Sequence, residues 1–249
     1  MRIAPITCLA RRLVSAARCV AWAPLGLVGV GCHPGPPAHG EAQPNALPII
    51  DAHIHTDFDG QPERTSGIPF SREELRAQMR RAGVRMAIAH TDEDGGGYED
   101  LTRDGVFHCA GVGAKVDAAR VEEGLRAGRY RCIKIYLGYV HQFAYDPAYE
   151  PAYQLAERYD VPVVFHTGDT YSKTAKLKYA DPLTIDEVAV DHPKVRFVIA
   201  HCGNPWIQSA AEVAYKNPNV TLDGSALLIG RLGDVPKEQV DRYIAQPIG

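Results

Sequence analysis

The chain has 249 residues, 45% of them hydrophobic, 8% aromatic and 23% charged, with a formal net charge of -3. This composition suits a soluble globular domain and excludes a disordered or fibrous chain. No basic run lies beyond the N-terminus and none interleaves with aromatic residues, so nucleic acid is excluded as a partner and a small molecule is expected instead.

Residues 1–31 differ in composition from the rest. Their only charges are Arg2, Arg11, Arg12 and Arg18, and they end in the apolar run Ala21 to Val30. A basic start, a short apolar stretch and then small residues make a secretory signal, and the run is too short to span a bilayer. Val30-Gly31-Cys32 loosely matches a lipoprotein cleavage box in which Cys32 is lipidated, which would anchor the chain to a membrane. The expected location is therefore periplasmic, or on a membrane as a lipoprotein. The alternative is a misassigned start upstream of a cytoplasmic protein. Residues 32–48, with Pro34, Pro36, Pro37, Pro44 and Pro48, read as a tether. Beyond the signal remain Cys109, Cys132 and Cys202, an odd number without CxxC spacing. They are read as small buried hydrophobes, with neither a disulfide framework nor a thiolate zinc site.

The run Leu47 to Thr56 reads as the first strand. Its His53 and His55 leave one face about 7 Å apart along the chain, near enough to share an ion. Ser71 to Glu74 is a capping box that opens a helix carrying Leu75, Met79 and Ala82, and Gly83 stops it. Val84 to His90 reads as the second strand and Asp92 to Gly97 as the loop leaving it. Val106 to Gly113 is the third strand, followed by a helix over Asp117 to Ala127. Tyr130 to Val140 is the fourth, with Cys132, Lys134 and Tyr136 on one face and Ile133 and Ile135 on the other. Asp146-Pro147 caps the next helix.

Val161 to His166 is the fifth strand. A lysine-bearing loop leads to a second capping box, Thr184 to Glu187, with Leu183 and Val188 spaced as a hydrophobic staple. Lys194 to His201 is the sixth strand, Asn204-Pro205 starts a further helix, Asn219 to Gly224 is the seventh strand and Lys237 to Ile244 the last helix. Alternating strands and helices predict a parallel sheet in one domain, 49–249. A doubly wound sheet and a (β/α)8 barrel compete, and the lack of a Gly-rich turn after the first strand weakens the dinucleotide-binding form.

Barrel chemistry sits at the C-terminal ends of the strands. There the sequence puts His53 and His55, Lys134, His166 and His201. A buried lysine must be paired or shift its pKa, which argues for a place near the site. Asp51 either orients a ligand or accepts backbone hydrogen bonds at the barrel floor. Asp169 and Tyr171 follow His166 on the loop facing substrate, with Trp206 as a wall of the pocket; Asp92 and Asp94 read as loop residues.

Asp51 to His55, Phe165 to Asp169 and Val198 to Trp206 together resemble the amidohydrolase superfamily, in the branch of metal-dependent barrel hydrolases that also contains aromatic-acid decarboxylases. The resemblance spans Ile49 to Gly249 and implies the (β/α)8 TIM-barrel fold. It also implies one divalent metal, Zn²⁺ in the first instance, held by His53, His55 and His166. His201 would lie beside it, as an electrophile, an orienting group or a ligand of a second metal. Lys134 is read as a catalytic group near the site; in some members of the superfamily a carboxylated lysine on the fourth strand bridges two metals, though in this branch a one-metal site is commoner. The implied reaction is attack of metal-bound hydroxide on an ester, lactone or amide carbonyl. Non-oxidative decarboxylation is the alternative, and a non-catalytic metal-binding surface protein the reading from another class.

The resemblance also implies an aspartate ending an eighth strand, and no eighth strand is readable. Asp223, in the seventh, is not that residue. Truncation of a longer gene is the expectation, with a degenerate, weakly metal-binding member as the alternative.

Overall fold

The computed structural model describes residues 48–56, 58–62, 69–170, 172–227 and 237–240. The signal, most of the tether, the lipidation box, Tyr171, the end of the last helix and the expectation about the C-terminus all fall outside these residues.

Seven strands are described: β1 (Ile49–Ile54), β2 (Val84–His90), β3 (Val106–Val112), β4 (Tyr130–Ile135), β5 (Val163–Phe165), β6 (Phe197–Ile199) and β7 (Val220–Leu222). Between and after them run α1 (Arg72–Ala82), α2 (Ala118–Arg126), α3 (Glu150–Tyr159), α4 (Thr184–Asp191), α5 (Ile207–Lys216) and α6 (Lys237–Val240). All six strand pairs are parallel, and the strands lie in chain order from β1 to β7. A doubly wound sheet reverses its strand order at a switch point. This one never does, so the sheet is of the TIM-barrel type, with no eighth strand among the described residues. His53 of β1 reaches Asp223 beyond β7 at 2.5 Å, so the sheet curls until its two flanking strands face one another across the mouth.

Local chemistry accounts for the elements. Ser71 accepts the amide of Glu74 at 3.1 Å and starts α1, while Gly83 at φ 73° ends it by donating to the carbonyls of Met79 and Arg80. Asp117 caps α2 in the same way. The second capping box does not form. Leu183 stands at the start of α4 with helical angles and no side-chain cap, and it is 54% exposed, so it staples nothing. Asp181 instead accepts the Leu183 amide at 2.9 Å and thereby turns the chain into the helix. β4 is shorter than the sequence predicts, because after Ile135 the chain leaves the sheet toward Gly138, whose φ is 85°. Asn204-Pro205 is a cis peptide, and α5 starts two residues later.

The alternation along β4 divides the interior in two. Ile133 and Ile135 point outward and pack with Val121 and Leu125 of α2 and Tyr153 of α3. Each such side chain, fully buried, contributes roughly 1.5–3 kcal/mol. Cys132 points inward, where it joins Cys109, Val164 and Ala200 as the apolar floor of the lumen.

That floor corrects one sequence expectation. Cys109 and Cys132 are buried as predicted, but they are also disulfide-bonded, at a sequence separation of 23. They face each other because β3 and β4 pair Cys109 with Cys132. Among the described residues Cys202 is the free cysteine, also buried, and burial pushes its thiol up to about 11. Cross-linking a loop of this length stabilises by about 3 kcal/mol in the chain-entropy picture. The double variant Cys109→Ala, Cys132→Ala is therefore expected to lose about that much in urea unfolding. An unchanged midpoint in non-reducing buffer would refute the cross-link.

Candidate metal centre

The C-terminal ends of the strands converge on a cluster of imidazoles. His53 sits on β1 and His55 just past its end, His90 closes β2, His166 follows β5, and His201 lies in the turn after β6. Ring centres are 5.6 Å apart for His53 and His55, 5.0 Å for His53 and His201, and 4.9 Å for His166 and His201. Four of these five histidines were expected from the sequence, and the fold brings all four to one mouth. His90 was missed, although the same rule, a histidine ending a strand, would have found it. Lys134 reaches the same lumen and is 1% exposed.

Two loops hold His166 and His201 in place. Gly168 has φ 79°, and a Cβ there would stand 2.0 Å from the Asn204 carbonyl, so only glycine allows the approach. Across that contact the Asp169 amide donates to the Asn204 carbonyl at 2.8 Å. His201 and Cys202 have φ of 61° and 46°, a left-handed backbone that costs non-glycine residues of order 1–3 kcal/mol and is characteristic of functional sites.

Hydrogen-bond partners fix the tautomers. The Asp169 carbonyl, 3.0 Å from His166 Nε2, can only accept, so His166 donates there and keeps its lone pair on Nδ1. The Ser225 carbonyl, 3.0 Å from His201 Nδ1, likewise requires a proton on that atom and leaves the lone pair on Nε2. The Ser225 hydroxyl, 3.0 Å from the same nitrogen, donates to Asp223 at 3.1 Å. The two lone pairs therefore face each other at 3.2 Å. That separation matches the edge of a tetrahedral site, roughly 3.3 Å for metal–nitrogen bonds of about 2.0–2.1 Å. His53 donates through Nδ1 to Asp223, which frees Nε2 in the same way; a carboxylate behind a ligating imidazole is the usual support of such sites.

The electrostatics agree with neutral imidazoles. Burial, and then the charge of Lys134, push His55 and His201 down to about 4 and His53 well below its ordinary value. Burial and then neighbouring imidazoles do the same to His90 and His166. Asp223 accepts a hydrogen bond from Nδ1–H of a neutral His53 ring, so it sets the tautomer rather than charging the ring. Burial lowers Lys134 to about 7, against the opposing charge of Asp223. Lone pairs on neutral nitrogen are what a divalent cation needs. Among the described residues, no three His, Cys, Asp or Glu side chains already converge as a finished ligand set. The donors nevertheless fit the ion in type, protonation and pairwise spacing.

The other expected residues divide. Asp51 accepts the His53 amide at 3.1 Å, the backbone role, and burial raises its carboxyl to about 6. Asp169 touches His166 through its carbonyl, while its exposed carboxylate accepts from Asn204 at 3.1 Å. Trp206 is half-buried at the start of α5, with its amide on the Gly203 carbonyl at 2.7 Å. Asp92 and Asp94 are exposed loop residues.

A parallel sheet in chain order, with its polar cluster at the C-terminal strand ends, defines the class: a barrel-type α/β scaffold with an active-site mouth. The chain belongs to the amidohydrolase family (Amidohydro_2), whose model matches residues 39–247. Two solved structures are similar to it in fold. One is an uncharacterised TIM-barrel protein from Bordetella bronchiseptica, with 20% identity and TM-score 0.55, covering 72% of this chain and 75% of that one. The other is described as a 2-pyrone-4,6-dicarboxylic acid hydrolase homologue from Pseudomonas putida, with 15% identity and TM-score 0.55, covering 82% and 77%. No curated protein matches the sequence.

Proposed function

We propose that the chain is a metal-dependent hydrolase of an ester, lactone or amide carbonyl in a small molecule. One Zn²⁺ or similar divalent ion would be held by His53, His55 and His166, with His201 beside it. The observation that carries this reading is the facing pair of lone pairs on His166 and His201, 3.2 Å apart. Two such nitrogens repel unless a proton or a cation satisfies them, and burial in this basic lumen disfavours the proton.

A divalent ion there would supply Lewis acidity and lower the pKa of water toward about 7. The side chains supply the remainder. Asp223 holds the His53 ring, Ser225 holds His201, and the Lys134 amine, poised near neutrality, can hold or release a proton at the reacting centre. Export remains our reading of the N-terminus. The Cys109–Cys132 bond supports it, since disulfides persist in oxidising compartments.

Metal analysis of the purified chain is expected to give one equivalent, and a panel of lactones, esters and amides is expected to give turnover that a chelator abolishes. Two equivalents would overturn the one-metal reading. Release of CO₂ from hydroxybenzoates without incorporation of water would replace hydrolysis by decarboxylation. Bound metal with no turnover on either panel would favour a binding protein.

A further inference from the structure

His90 belongs to none of the roles above. It closes β2, is 4% exposed, and neither of its ring nitrogens has a hydrogen-bond partner. Leaving one buried polar group unsatisfied costs about 1–3 kcal/mol, so a histidine placed this way needs an explanation. His108, the buried histidine of β3, provides the contrast. Its Nε2 has the Thr56 hydroxyl at 3.4 Å and its ring lies against Tyr98, as expected of a core residue.

His90 is instead surrounded by candidate ligands. Its ring centre is 4.0 Å from that of His53 and 5.8 Å from that of His55, and those two are 5.6 Å apart. Imidazoles that share one ion hold their ring centres roughly 4.5–5.5 Å apart, from metal–nitrogen distances of about 2.0–2.1 Å. The three separations lie within about 0.5 Å of that range, one below it and two above, so small ring rotations would bring all three onto one ion. An apolar neighbour would satisfy neither nitrogen, and a carboxylate would charge the ring inside an already basic lumen. A cation uses the lone pair of the neutral ring.

We propose that His90 is a metal ligand, which β2 contributes to form an all-imidazole face with His53 and His55. The inference rests on the metal-dependent reading above and goes beyond it in adding a ligand from a third strand, β2.

The test uses Co²⁺ with the full chain, followed by visible absorption and by competition with a chromogenic chelator. Wild type is expected to bind one equivalent. His90→Gln is expected to bind at least about tenfold more weakly, with an altered visible band, while its metal-free melting temperature is unchanged or higher. His90→Cys supplies a second readout, because a thiolate within reach of the ion adds a near-ultraviolet charge-transfer band that no structural role produces. Wild-type affinity and spectrum in His90→Gln, or the absence of that band in a Co²⁺-loaded His90→Cys protein, would overturn the assignment and leave the metal-dependent reading standing. No Co²⁺ binding by wild type would overturn both.

Discussion

Taking the metal-free protein from pH 6.5 to pH 4 is expected to remove most of its folding free energy. His55, His108 and His201 are each lowered from 6.5 to about 4, chiefly by burial. The unfolded chain binds these protons as pH falls through 6.5, and the folded chain refuses them until about 4. Their stabilising effect is thus complete above 6.5 and lost between the two values. At 1.36 kcal/mol per pKa unit each ring loses about 3 kcal/mol, or about 10 for the three. Asp51 acts in the opposite sense. Its carboxyl is raised from 3.8 to about 6 by burial, so acid relieves a penalty of about 3 kcal/mol. The histidines win by about 7 kcal/mol, against a total of about 5–15 for an ordinary domain. Burial also lowers His53, His90 and His166 well below their ordinary value, which acts on the same side. Urea midpoints should therefore fall steeply below pH 6.5, and added Zn²⁺ should move the fall to lower pH by competing with protons for the same lone pairs. A midpoint that stays flat from pH 7 to pH 5 would refute this account.

How far the sequence reached depended on the range of the interaction. α1 was readable at both ends because its signals, Ser71 with Glu74 and Gly83, act within a turn of the residues they control. β2 was readable because a short run rich in apolar residues, set between Gly83 and the Asp92–Gly97 loop, is a local signal. The box at Thr184 failed because Asp181 offered the chain a competing local turn, which no pattern of helix-forming residues reveals.

The disulfide was out of reach for a different reason. It requires Cys109 opposite Cys132, and that pairing follows a register shift between His108 and Cys109 that only the folded sheet determines. The sequence puts Asp223 in the seventh strand, whereas β7 ends one residue before it at Leu222, and no local signal could give it a partner. Its link to His53 spans 170 residues and exists because the sheet curls. Four of the five histidines were legible because strand period and strand ends are local features. Their tautomers were not, because these depend on the carbonyls of Asp169 and Ser225 in loops with no readable motif.

Replacing Lys134 by methionine is expected to make the protein more stable and, on our reading of the site, inactive. The ammonium is fully buried with no hydrogen-bond partner; the carboxylate whose charge reaches it is that of Asp223, and the Tyr136 ring centre lies 5.4 Å away. Burial lowers its pKa from 10.5 to about 7, so between those values the unfolded chain holds a proton that the folded chain gives up. The resulting penalty is full below about pH 7 and gone above 10.5, and stability should rise with pH across that window. The shift amounts to about 4 kcal/mol at pH 7. Methionine has nearly the same length and no charge to desolvate, so Lys134→Met should gain about that much in urea unfolding at pH 7 and lose the pH dependence between 7 and 10. A variant less stable than wild type at pH 7 would show that Lys134 is a satisfied structural residue. A variant that is more stable yet still turns over substrate would remove Lys134 from the chemistry. The expected combination, stability gained and activity lost, is the signature of a group held at a cost for what it does at the mouth of the barrel.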